Sequence, residues 1–138
     1  MSDTLLLGTR KGLFTLTRQP SGWEVTRIDF LGQELSMVLD DRRDKTLYVA
    51  LRSGHFGAKL HRSSDGGATW EEVGVPTYPP GAEFSAMAFP EGTHNRKPAN
   101  MREFWILETA GDDRPGELWA GTFPGGRCHS ADRGESWR

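Results

Sequence analysis

The residues of this chain whose types could do chemistry are its arginines and glutamates, Arg10, Arg52 and Arg96 with Glu34, Glu83, Glu103 and Glu108, together with Tyr48, Tyr78 and His55. Two carboxylates flanking a glycosidic bond can divide the roles of acid and base or nucleophile. An arginine cluster with a Tyr nucleophile and an acid would suit a carboxylated sugar instead. Four residues are candidates for catalysis: Arg10, Glu83, Glu103 and His55. Five are candidates for ligand binding: Arg10, Lys11, Glu34, Arg52 and His55. His55 stands between Gly54 and Phe56, where backbone can approach a ligand, and can equally be a turn histidine donating to a carbonyl. Arg10, in Thr9-Arg10-Lys11-Gly12, reads either as an anion-binding group or as a solvated turn cation. Cys128 and His129 are adjacent on a strand and so point to opposite faces. There is no glycine-rich phosphate loop, Cys/His cluster or nucleophile elbow, so neither a cofactor nor a metal is expected.

What could position these groups is read from a repeat. Ser63-Ser64-Asp65-Gly66-Gly67-Ala68-Thr69-Trp70 returns as Ser130-Ala131-Asp132-Arg133-Gly134-Glu135-Ser136-Trp137, each position displaced by 67 residues. A constant displacement duplicates a structural unit rather than a single turn. The chemistry of each position is that of a rigid hairpin. Asp65 or Asp132 folds its carboxylate onto backbone N–H groups as in an Asx-turn. Gly67 or Gly134 supplies a positive φ. Thr69 or Ser136 restarts an extended segment, and Trp70 or Trp137 buries a ring whose indole N–H is free to find a carbonyl. Neither Asp has the several neighbouring oxygen ligands of a calcium loop, which makes both boxes structural.

This S-x-D-x-G-x-[TS]-W pattern resembles the Asp-box, or BNR repeat, of sialidases, sortilin-type receptors and many bacterial propeller proteins. Gly54-His55-Phe56-Gly57 and Pro115 to Thr122 are similar to segments of bacterial BNR-repeat proteins labelled sialidase-like or glycosyl-hydrolase-like, and the likeness covers nearly the whole chain. The resemblance implies an all-β propeller of four-stranded antiparallel sheets. It implies one of two functions: a sialidase-like glycoside hydrolase or glycan binder, acting at the channel mouth opposite the boxes, or a non-enzymatic propeller that binds a protein, peptide or glycan. The chain departs from the family in two places. The R-I-P-like arginine motif of sialidases is missing, so a catalytic set is not carried over, and Arg127-Cys128 stands where the family generally has a Leu-Phe-like pair.

Alternating apolar and polar runs separated by Gly, Pro and Asp turns predict strands throughout, and no three-four apolar spacing survives ten residues without Gly or Pro. Leu6 to Thr9, Tyr48 to Leu51 and Trp119 to Thr122 occupy the same place ahead of the same turn, which defines three related units, 4–29, 34–75 and 103–138. The first lacks its first strand and the last lacks its last. Trp23 closes a worn box without its Asp. The link 76–102 is expected to be an unstructured lid over the channel mouth or an insertion packed across a sheet; it carries Tyr78, Glu83, His94, Asn95 and Arg96. A closed propeller needs at least four blades. The expectation is therefore an incomplete propeller, either a piece of a longer chain or one of several copies that finish a ring, since bare strand edges are usually covered.

The totals set the remaining bounds. Over 138 residues, 17 basic and 19 acidic side chains give a formal charge of −2, with no basic stripe for a phosphate backbone. Nucleic acid and membrane are not expected as partners. One cysteine forms no internal disulfide, and the start lacks the basic and apolar regions of a secretory signal, which together favour the cytoplasm.

Overall fold

The structure, a computed structural model, describes residues 2–85 and 96–138. Among them there is no helix, and so none long and apolar enough to cross a membrane. Strands β1 (Thr4–Thr9), β2 (Gly12–Gln19) and β3 (Gly22–Asp29) form one antiparallel sheet. Strands β4 (Glu34–Asp41), β5 (Thr46–Ser53), β6 (Gly57–Ser63) and β7 (Glu71–Val73) form the second. Strands β8 (Glu83–Ser85) and β9 (Arg96–Pro98) pair as a small ladder, and β10 (Glu103–Thr109), β11 (Leu118–Phe123) and β12 (Gly126–Ser130) make the third large sheet. The link 76–102 is therefore not wholly unstructured. His94 and Asn95, assigned to the lid, lie outside the described residues.

The second sheet lies between the other two, with β4 touching both β1 and β10. This explains why Thr46 to Leu51 of β5 are all buried, although a strand sends successive side chains to opposite faces. Val49 and Leu51 meet Leu13 and Leu35 at the seam with the first sheet. Tyr48 and Ala50 meet Phe104, Leu107 and Leu118 at the seam with the third. Full burial of one such Val, Leu or Phe side chain is worth about 1.5–3 kcal/mol, more than the net contribution of a neutral hydrogen bond.

The two boxes fold alike. The Ser63 hydroxyl donates to Asp65 Oδ1 (2.7 Å) and accepts from the Gly67 N–H (2.8 Å). Asp65 in turn accepts the Thr69 N–H (2.9 Å) and hydroxyl (2.6 Å). Ser130, Asp132, Gly134 and Ser136 repeat the pattern at 2.8, 2.9, 2.9 and 2.5 Å. Gly67 and Gly134 take the expected positive φ, and the position before each is left-handed too, where Arg133 (φ 58°) holds a conformation costly for a side chain. The tryptophans differ. Trp137 Nε1 donates to the Gly74 carbonyl across the seam (2.9 Å), whereas Trp70, edge-on to Phe30, has its Nε1 buried with no hydrogen-bond partner. The carbonyl expected for Trp70 is not found; the ring of Phe30 packs beside it at 5.1 Å.

A second device closes the seam between the second and third sheets. Asp40-Asp41 reads in sequence as solvated charge, but Asp41 is 0% exposed and takes the Arg43 guanidinium in a fork, at 2.8 Å from Nε and 2.6 Å from Nη2. The remaining Arg43 protons go to the carbonyls of Ala110, Gly111, Arg114 and Glu117, in the turn between β10 and β11. Three protons thus reach four carbonyls of the neighbouring turn, one of them shared, and add to the backbone hydrogen bonds that close that turn on itself.

Removing either partner leaves a buried charge alone, so Arg43→Ala or Asp41→Asn should cost about 3–5 kcal/mol in urea unfolding followed by tryptophan fluorescence, while Arg42→Ala, on the exposed neighbour, barely moves the midpoint. A second outcome follows from the boxes. The hydroxyl of Thr69 or Ser136, then the N–H of the same residue, holds the Asp65 and Asp132 carboxylates down to about 2. A carboxylate with a lower pKa folded than unfolded, where it is about 3.9, stabilises the fold above that value and loses the contribution as pH falls towards its folded pKa. Thermal stability should fall between about pH 4 and pH 2, and Asp65→Asn with Asp132→Asn should make that fall shallower.

Candidate functional site

A row of alternating charges crosses the three large sheets at the ends of the strands away from the boxes. Arg10 occupies the two-residue turn between β1 and β2, Glu34 opens β4, Arg52 lies opposite Glu34 in the β4–β5 register, and Glu103 opens β10. Glu34 Oε1 receives Arg10 Nε at 3.6 Å and Arg52 Nη1 at 3.5 Å. Arg52 Nε reaches Glu103 Oε2 at 3.2 Å, and the other Glu103 oxygen accepts the Trp105 indole N–H at 2.6 Å. The box of the second sheet lies at the far end of β6, about 20 Å away at the usual rise of a strand.

Local chemistry fixes the row. The Thr9 hydroxyl donates to the Gly12 carbonyl and accepts the Lys11 N–H, and Gly32 N–H then ties the Lys11 carbonyl to the link before β4. Gly12 has φ 133°, and a Cβ there would stand 2.9 Å from the Asp29 carbonyl, so only glycine lets the link pass. A bulge between Leu35 and Met37 sets the register that brings Glu34 to Arg52.

Arg10, Glu34 and Arg52 line a cleft of about 520 Å³ with Phe56, Lys59 and His61. Such a volume is in the range of small-ligand sites. Arg52 and Glu103 also line an adjoining hollow of about 280 Å³ with Arg102 and Phe123. The pairings on Glu34 are longer than charge-assisted hydrogen bonds, and the Arg10 side chain is 83% exposed. Its guanidinium is thus only loosely committed.

The sequence-derived candidates divide. Arg10, Glu34, Arg52 and Glu103 come together; Lys11, His55 and Glu83 do not join them. Lys11 is exposed beside Arg10 without lining the cleft, and His55 turns its ring edge-on to Phe56 in solvent, at 5.3 Å. Glu83 lines a separate hollow with Tyr78 and Pro98. Neither tyrosine reaches the row. Tyr48 is fully buried at the seam, and burial pushes its phenol up to about 12. Tyr78 hydrogen-bonds Thr122 Oγ1 (2.8 Å) and the Pro124 carbonyl, which anchors the start of the link. Cys128 packs toward the core, where burial raises its thiol, while His129 lies against Trp119 on the other face.

One residue moves the other way. His61 reads in sequence as structural and distant from the loops, yet it lines the cleft, edge-on to Phe30 at 5.1 Å, with burial lowering its pKa. Lys59 and Phe56 were missed altogether. The signal was alternation: Lys59 and His61 pair with Leu51 and Val49, the β5 residues that face the first sheet. Compared with models of known protein families and with curated protein sequences, the chain matches none.

Proposed function

We propose that the three large sheets are successive blades of an Asp-box propeller scaffold of the sialidase-like kind, and that the cleft at their box-distal end binds an acidic glycan. The observation that carries this reading is the convergence of two guanidinium groups, from two different sheets, on the single carboxylate of Glu34. Both approach the same oxygen, Oε1, at 3.5–3.6 Å, so neither guanidinium is locked in a two-donor fork on Glu34, and the pair of cations suits the planar carboxylate of an acidic sugar. Glu34 acts as an internal stand-in for the ligand anion. Exposed ion pairs contribute about 0–1 kcal/mol, so exchange of Glu34 for a ligand carboxylate costs little. Phe56, Lys59 and Gln33 supply an apolar surface and further polar contacts around the sugar ring.

Binding is favoured over hydrolysis. The tyrosines that could act as nucleophiles are committed elsewhere, Tyr48 inside the seam and Tyr78 on Pro124. The Glu103 carboxylate is occupied by Arg52 and by the Trp105 indole, an arrangement suited to holding Arg52 in place.

Titration calorimetry with sialyllactose should show binding that lactose does not match. Arg52→Ala should weaken it about tenfold or more, the scale of one charge-assisted contact. Glu34→Gln, which removes the internal competitor, should tighten it. Failure of the chain to bind any acidic sugar, or a Glu34→Gln variant as weak as Arg52→Ala, would overturn the reading. Turnover of a fluorogenic sialoside abolished by Glu103→Gln would replace binding with hydrolysis.

A further inference from the structure

The charged row opens on two hollows, one at each seam inside the chain, and Arg52, Ser53 and Gly54 line both. The larger, at the first seam, is the cleft described above. The smaller, of about 280 Å³, lies at the second seam between the β5–β6 turn and the chain leading into β10, where Gly57, Arg102, Glu103 and Phe123 complete its walls. Its framework is backbone. A Cβ at Gly57 (φ 76°) would stand 3.3 Å from the Met101 carbonyl, so the turn rests on that lead-in. The Arg102 N–H donates to the Phe123 carbonyl at 2.9 Å and ties the lead-in to the end of β11.

The cations of the row are committed unequally. Arg52 is shared between Glu34 and Glu103, and Glu103 is held a second time by the Trp105 indole. Arg102 is exposed, lies over the Phe84 ring at 5.5 Å, and forms no ion pair among the described residues. A guanidinium stacked on a ring face keeps the donors of its edge free for a carboxylate. Beside it the Phe123 ring, stacked on Trp105 at 5.2 Å and set at a steep angle to Phe84 at 6.2 Å, gives the hollow an apolar wall. A carboxylate-binding group next to an aromatic surface suits an acidic sugar ring. No carboxylate among the described residues has to leave Arg102 to admit one, whereas Glu34 must yield its place in the first cleft.

We infer that the ligand of this face is an oligosaccharide with a carboxylate on each of two successive units. The first carboxylate takes the place of Glu34 between Arg10 and Arg52; the second pairs with Arg102, its ring against Phe123. The inference rests on the glycan-binding reading above and extends it by one subsite. Arg52, Ser53 and Gly54 form a common wall, so the hollows are neighbours and call for adjoining units of one chain rather than two separate ligands. Once the first unit is seated, the second meets Arg102 at the high effective concentration of a tethered group, and its contact adds affinity without a second loss of translational freedom.

Titration calorimetry at one ionic strength should show α2,8-disialyllactose, which carries two acids in succession, binding about tenfold or more tighter than sialyllactose, which carries one. Arg102→Gln, on an exposed side chain that lines only the smaller hollow, should bring the two affinities to within about twofold of each other. Tryptophan fluorescence would confirm that this variant remains folded. Arg52→Ala, in the common wall, should weaken both sugars. Equal affinity of the native chain for the two, or a tighter binding of the disialylated sugar that survives Arg102→Gln, would overturn this inference while the cleft reading stands. Binding of neither sugar would overturn both.

Discussion

A strand apolar on both faces must have a sheet on each side, and β5 imposes that constraint on the rest of this molecule. Tyr48 and Ala50 point one way, Val49 and Leu51 the other, and none is reached by solvent to more than 2%. The first and third sheets have to stack on the second or the middle strand exposes its whole length. Everything else adapts to that stacking. The boxes tighten the turn between third and fourth strands, and at the second seam Gly74 lets the Glu135 carbonyl approach so closely that a Cβ there would stand 2.2 Å from it. Arg43 then fastens the same two sheets at the end that carries the boxes, through backbone carbonyls, which any sequence presents, so the clamp constrains the conformation of the partner turn rather than its side chains.

The same stacking makes the cleft. Turns that would be unrelated in isolated hairpins are brought side by side at the strand ends, and each contributes one charge. Rigid sheets with variable turns at their ends are a common way to assemble binding residues from distant parts of a chain. Here the row runs from residue 10 to residue 103 with opposite signs alternating, so each group is partly neutralised and none is buried without a partner. An alternating row has low net charge at its centre. On the glycan-binding reading proposed above, it would select by geometry, admitting an anion where two arginines converge, more than by long-range attraction.

The features legible in the sequence were the local ones. Asp65 and Asp132 announce their turns because the groups they bind are four residues away. Strands announce themselves by alternation and by the glycines that bound them. Asp41 was misread for the converse reason. Asp-Arg-Arg-Asp looks like a solvated turn, and what buries it arrives some 67 to 74 residues later in the form of the turn 110–117. His61 failed in the same way, since its face is set by the first sheet and its neighbours by a loop on another strand. Of the site, Arg10, Glu34, Arg52 and Glu103 could be named as types, but their meeting depends on the bulge at Leu35/Met37, which no composition reveals.

The unpartnered Trp70 indole separates the two seams physically. Both tryptophans wedge against a neighbouring sheet, but only Trp137 finds a carbonyl there. At the first seam Phe30, held at a positive φ of 54°, contacts both Trp70 and His61, so an aromatic cluster replaces the hydrogen bond. Buried polar atoms without a hydrogen-bond partner occur at both seams, Trp70 Nε1 at the first and the Tyr48 hydroxyl at the second, each at a cost of about 1–3 kcal/mol. His61 Nδ1 is buried without a partner in the aromatic cluster of the first seam. The cleft is built over this aromatic seam, and Phe30, which contacts both Trp70 and His61, stands between the box and the charged row. An occupant of the cleft would meet the first seam at His61, which lines it, and would reach Trp70 only through Phe30.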